Sequence, residues 1–119
     1  MSVDKGRMFE AEAARYIERI GYNILERNFR SRRGEIDIIA ADGETLVFVE
    51  VKGRAADSLA SPGEYVDARK QSRLAHAALT YINGRNLPAR FDVIEIAGEN
   101  LNHIKNAFFM PENIDTFGW

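Results

Sequence analysis

The 119-residue chain contains no cysteine, which removes disulfides and thiolate metal sites from consideration. Histidine is scarce too: His76 and His103 are the only two, and neither has a second His or Cys at metal-ligand spacing, so both read as structural residues. No segment approaches the ~20 consecutive apolar residues of a membrane-spanning helix. The N-terminus carries Asp4, Lys5 and Arg7 where a leader would have an apolar run. A soluble, cytoplasmic protein without a membrane partner is the expectation. Neither sign of charge dominates: a net charge of -2 and a pI near 5.7 argue against a protein that coats nucleic acid in bulk. Internal repeats and low-complexity linkers are absent as well, and the length suits one domain spanning residues 1–119.

What the chain does have is charge inside two apolar runs, Gly34-Glu35-Ile36-Asp37-Ile38-Ile39-Ala40 and Leu46-Val47-Phe48-Val49-Glu50-Val51-Lys52. A buried strand holding Asp37, Glu50 and Lys52 must offset a large desolvation cost, which proteins accept most often where charge performs chemistry. Strand alternation puts Val47, Val49 and Val51 on one face and Leu46, Phe48, Glu50 and Lys52 on the other. In the first run, Ile36, Ile38 and Ala40 share the core face, and Glu35, Asp37 and Ile39 the opposite one. With Asp42-Gly43 at the tip of a tight hairpin, Ala41 pairs with Glu44, Asp37 falls opposite Phe48 and Glu35 opposite Glu50. Asp37 is then a diagonal neighbour of Glu50 on one face. Two carboxylates with waters suit a hard cation, Mg2+ or Mn2+, and the Lys52 ammonium could steady an attacking water or neutralise charge developing on a phosphate. Hydrolysis of a phosphodiester fits these parts best.

The remaining elements frame that hairpin. A helix over residues 4–20 ends at Gly21, with Phe9, Ala13, Tyr16, Ile17 and Ile20 as its apolar stripe. Glu10 lies at the margin of the stripe, either looking toward the sheet or serving as an ordinary acid in an early helical turn. A short strand over 22–26 leads into an arginine loop, and residues 53–66 form a long loop after the Glu-X-Lys strand. Asp67 caps a second helix with Leu74, Ala75, Ala78, Leu79 and Ile82 inward, ending near Gly84. Strands over 91–96 and 103–108 complete an α/β sandwich around a mixed sheet. Arg30, Arg32 and Arg33, with Arg54, Lys70 and Arg73, crowd both sides of the acidic strands, so contact with nucleic-acid phosphates would be local, although a solvated arginine loop is the plain alternative. The apolar tail, Phe108, Phe109, Met110, Phe117 and Trp119, can dock on its own domain or on a second copy, and the sequence does not choose between them.

The order Glu10, Asp37, Glu50-Val51-Lys52 resembles the restriction-endonuclease-like nuclease superfamily, whose mark is an Asp followed by Glu-X-Lys on adjacent strands. More closely, Gly6-Arg7-Met8-Phe9-Glu10, Asn28-Phe29-Arg30, Arg33-Gly34-Glu35-Ile36-Asp37, Phe48 to Arg54, Lys70-Gln71 and Arg90-Phe91-Asp92-Val93 look like the YraN family of small bacterial proteins, itself similar to archaeal Holliday-junction resolvases. The resemblance implies a restriction-endonuclease-like three-layer α/β/α core with a mixed sheet. It also implies Asp37 and Glu50 as metal ligands, Lys52 as the catalytic lysine, Glu10 as an accessory acid and Gln71 as a further polar site residue. DNA as partner and pairing into a homodimer follow from it in the same way. Two readings stay open at this level: a metal-dependent nuclease acting on DNA, structured or branched DNA included, and a non-catalytic nucleic-acid-binding or adaptor module on the same scaffold.

Overall fold

The computed structural model describes residues 2–54 and 67–110, with side chains from residue 6 onward. Its elements run α1 (Ser2–Arg19), β1 (Asn23–Arg30), β2 (Glu35–Asp42), β3 (Thr45–Arg54), α2 (Ala68–Ile82), β4 (Ala89–Ala97) and β5 (Asn100–Phe108). The strands form one sheet in chain order, antiparallel throughout except for the parallel β3/β4 pair that α2 connects. Helices cover both faces, which makes the three-layer α/β/α core with a mixed sheet. Among the described residues no helix is long and apolar enough to cross a membrane.

Each face buries its own cluster. Ala13, Ala14 and Ile17 of α1 pack on Ile38, Ala40, Val47, Val49, Ile94 and Ile96. Leu74, Ala75, Ala77, Ala78 and Ile82 of α2 pack on Ile36, Ile39, Phe48, Phe91 and Val93. Complete burial of a side chain such as Phe48 or Ile94 contributes about 1.5–3 kcal/mol, so the two layers hold the central strands strongly. α2 starts where expected: the Asp67 side chain accepts from the Lys70 backbone N–H at 2.8 Å, and Asn83 closes the helix in the left-handed region at φ 52°. Gly21, at φ 98°, ends α1. Of the expected α1 stripe, Ala13 and Ile17 are buried and Phe9 and Tyr16 pack against them, but Ile20 lies beyond the helix and is 39% exposed, while Ala14 is buried in its place.

Three expectations need correction. The hairpin pairs Asp42 with Thr45, so Gly43-Glu44 forms the turn; Gly43 at φ 62° occupies the first central position, where a tight hairpin can require positive φ. The slip is two residues in register, which leaves the faces unchanged, and continuing the count from Ile38↔Val49 brings Asp37 opposite Glu50 instead of Phe48. β1 is not a short strand before an arginine loop. It runs eight residues to Arg30 with an irregularity between Ile24 and Glu26, and only residues 31–34 turn. Finally, Ile36 packs with the α2 layer while Ile38 and Ala40 face α1. Alternation breaks at Asp37, whose carboxylate accepts the Val51 backbone N–H at 2.8 Å at the point where the β2/β3 backbone pairs end. The 55–66 part of the expected loop, and Phe117 and Trp119 of the tail, lie outside the described residues.

Candidate active site

The direction of the strands brings the candidate residues to one end of the sheet. β3 delivers Glu50 and Lys52 near its C-terminus, antiparallel β2 delivers Asp37 near its N-terminus, and the start of α2 reaches the same end, with Lys70 on Glu50 and the Arg73 backbone against Gly34 just ahead of β2. Gly53 and Gly34 allow the helices to approach this closely. A Cβ on Gly53 would overlap the Phe9 ring of α1, and one on Gly34 would overlap the backbone carbonyl of Arg73 on α2.

Asp37 and Glu50 form a hydrogen-bonded carboxyl pair. Burial, then the charge of Glu50, pushes the Asp37 carboxyl from 3.8 up to about 7, against the opposing Val51 N–H and the more distant Lys70 charge. Two carboxylates this close repel unless Asp37 keeps its proton or a cation joins them. Glu50 is buried, and its Oε2 lies 3.1 Å from Nζ of Lys70 on α2. Glu50 therefore pairs with Lys70 of the helix and not with Lys52, its neighbour along the strand. Lys52 is half-buried and has no ion-pair partner among the described residues. Glu10 faces the same end: burial and then the Asp37 charge raise its carboxyl, opposed by a hydrogen bond from Asn28 and the charge of Arg27. Asn28 sits at φ 56°, an unusual conformation for a strand residue, beside that acid.

Next to the acids opens a cleft of about 920 Å³ lined by Arg30, Ser31, Arg32, Arg33, Gly34, Glu35, Arg69, Lys70, Ser72, Arg73 and His76. Six of these carry positive charge and one negative, so the cleft concentrates the basic side chains that the net charge conceals. Of the residues singled out as phosphate contacts, Arg30, Arg32, Arg33, Lys70 and Arg73 line it. Arg54 does not: it is ion-paired with Glu95, whose side chain is fully buried. Gln71 follows Lys70 on α2 but is not part of the lining. His76 is tied to Ser31, whose Oγ lies 2.8 Å from Nδ1; burial and then the charges of Arg33 and Arg32 lower its pKa. The Ser31 hydroxyl also receives the Gly34 N–H at 3.1 Å, which shapes the turn presenting the arginines.

Sequence reasoning passed over two buried acids on β4, Asp92 and Glu95, although both interrupt an apolar run in the manner of Asp37. Asp92 anchors a network on the α1 face: Arg90 donates to it at 3.0 Å, His103 Nε2 lies 2.8 Å away, the Asn106 N–H donates at 2.9 Å, and Tyr16 and Tyr22 complete the outer ring of partners. Burial alone would raise its pKa, but hydrogen bonds from His103, Arg90 and Asn106 hold it below the ordinary range. His103 is thus structural, as expected.

The donor set suits magnesium, which needs only one or two carboxylates and keeps several waters. Among the described residues no group of three or more His, Cys, Asp or Glu side chains is placed to hold an ion. Fold and site together define a small α/β/α protein with a carboxylate pair beside a cationic cleft. Residues 9–96 match the model of the uncharacterised protein family UPF0102, and the chain belongs to that family, the YraN group that the motifs resemble. It is 49% identical over 110 residues to a UPF0102 protein of Geobacter metallireducens, covering 87% of this chain and 90% of the relative. A UPF0102 protein of Sulfurihydrogenibium sp. is 44% identical over 107 residues, with 87% and 93% covered, and one of Chlorobium chlorochromatii is 43% identical over 119 residues, with 90% and 92% covered.

Proposed function

We propose that this protein is a divalent-cation-dependent nuclease that hydrolyses DNA phosphodiester bonds. The observation that carries the reading is the Asp37–Glu50 pair, two half-buried to buried carboxyls held in hydrogen-bond contact beside a cationic cleft. In that reading Asp37 and Glu50 hold the ion, which when bound supplies Lewis-acid stabilisation of the charge that develops on the phosphoryl oxygens. Lys52 shares the Glu50 face of β3 and, with no ion pair among the described residues, has its ammonium available to a phosphate oxygen or to the attacking water. Glu10, raised by burial and by Asp37, stands behind the pair as an accessory acid able to keep a proton to higher pH than an exposed glutamate. The arginines of the cleft hold the backbone of the DNA.

One observation favours the alternative of a non-catalytic binding module: Lys70 already places a cation on Glu50. The two readings separate in one assay. Linear, flapped and four-way DNA are incubated with wild type, Asp37→Asn, Glu50→Gln and Lys52→Met in Mg2+ or Mn2+. The nuclease reading expects wild-type cleavage that falls about 100-fold or more in each variant while folding survives. Equal cleavage by all four proteins refutes it, and binding without cleavage by wild type selects the module.

A further inference from the structure

We propose that Lys70 is a latch between the two halves of the site: its ammonium occupies Glu50 until a phosphate backbone enters the cleft, and its transfer to the phosphate opens the carboxylate pair to the cation. The proposal rests on the reading above, that a divalent cation is held by Asp37 and Glu50. Its basis is geometric. Lys70 Nζ is 3.1 Å from Glu50 Oε2, yet the same side chain lines the cleft and is 44% exposed, whereas the Glu50 side chain is 8% exposed. One residue therefore touches both the buried acid and the anion-attracting wall.

The exchange is energetically accessible. Lys70 holds its end of the pair partly in solvent, a lysine ammonium on its four-carbon stem can swing to a new acceptor, and the arriving cation takes its place on Glu50, so the buried carboxylate is not left uncompensated. Its place in the first turn of α2 disfavours positive charge through the helix dipole, so an anion arriving there is attracted by Arg69, Lys70 and Arg73 together. Lys70 and a divalent cation compete for the same carboxylate, by charge repulsion and by occupation of the oxygen. Removing Lys70 from Glu50 strengthens cation binding. By linkage, the cation strengthens anion binding in the cleft by the same factor. Lys70 is thus a positioning residue whose effect is read in binding, before any chemistry.

The test is Mn2+ titration of the full chain by calorimetry at pH 8, with and without sodium sulfate. Ionic strength is matched with sodium chloride, and the heat of Mn2+ entering sulfate buffer alone is subtracted. Sulfate is raised until the backbone amide resonances of Arg69 and Arg73 stop shifting. Wild type is expected to bind Mn2+ about fivefold more tightly in sulfate, the lower end of ordinary coupling between sites. Lys70→Arg keeps the dependence. Lys70→Met binds Mn2+ tightly in both buffers and loses it. A wild-type affinity indifferent to sulfate, α2 resonances that sulfate does not move, or full coupling retained in Lys70→Met each overturns the latch. If wild type takes up Mn2+ and Glu50→Gln does not, such a failure leaves the cation site standing. If neither wild type nor Lys70→Met takes up Mn2+, the latch falls together with the nuclease reading.

Discussion

Replacing Asp37 by Asn should stabilise the protein above neutral pH. The Asp37 carboxyl is pushed from 3.8 up to about 7, burial first and the Glu50 charge second. Between those values the folded chain holds a proton that the unfolded chain has released, so folding stability falls as pH rises through the window and the loss is complete above about pH 7. At about 1.36 kcal/mol per pH unit the whole interval is worth about 4 kcal/mol. The close coupling of Asp37 to Glu50 reduces the amount recovered by the substitution to about 2–4 kcal/mol. The amide introduced by Asp37→Asn keeps an oxygen for the Val51 N–H, bonded at 2.8 Å in the wild type, and offers Glu50 a donor without a second charge. Thermal unfolding followed by circular dichroism from pH 4.5 to 8 measures the effect. Wild type should lose stability across the range, and Asp37→Asn should exceed it at pH 8 by about 8–15 °C while differing little at pH 4.5. Saturating Mg2+ should narrow the gap by stabilising wild type alone. A variant less stable than wild type at pH 8, or parallel pH profiles, would refute the reasoning that the pair is held together against its own repulsion.

Gly34→Ala should destabilise the fold by about 1–3 kcal/mol in urea titrations, since its methyl meets the rigid backbone of Arg73, whereas Gly53→Ala should lose less because the Phe9 ring can swing aside. Asp92→Asn should lose about 3–5 kcal/mol at pH 7 by stripping Arg90 and His103 of their buried partner. Asp92 is held below the ordinary carboxylate range, so its contribution is complete above about pH 4 and disappears as the pH falls further; equal losses at pH 7 and pH 3 would contradict that assignment. Arg69→Gln with Arg73→Gln should weaken DNA binding evenly across sequences. It should also flatten the plot of log affinity against log salt by about 0.9 for each phosphate no longer neutralised, as measured by fluorescence anisotropy.

The legible parts of the chain were those governed by short-range rules. Alternation along β3 assigned Glu50 and Lys52 to one face, a cap and a hydrophobic stripe located α2, and an Asp-Gly dipeptide announced the hairpin. The break in alternation at Asp37 escaped, because a side chain that accepts a ladder N–H interrupts a period that residue types alone would continue. Asp92 and Glu95 carried the same signal as Asp37, an acid within an apolar strand, but their partners Arg90, His103 and Arg54 are spread over three strands.

By itself the sequence determined the α/β character, the two strands that carry misplaced charge and the acids and lysine to be tested, since each rests on propensity, period or spacing within about ten residues. Only the tertiary structure decided that the Asp37 carboxyl meets that of Glu50, that Lys70 and not Lys52 neutralises Glu50, and that five arginines and a lysine from β1, the following turn and α2 share one cleft. Those outcomes depend on register and helix docking across the chain, where burial of the two apolar layers dictates which distant charges must meet.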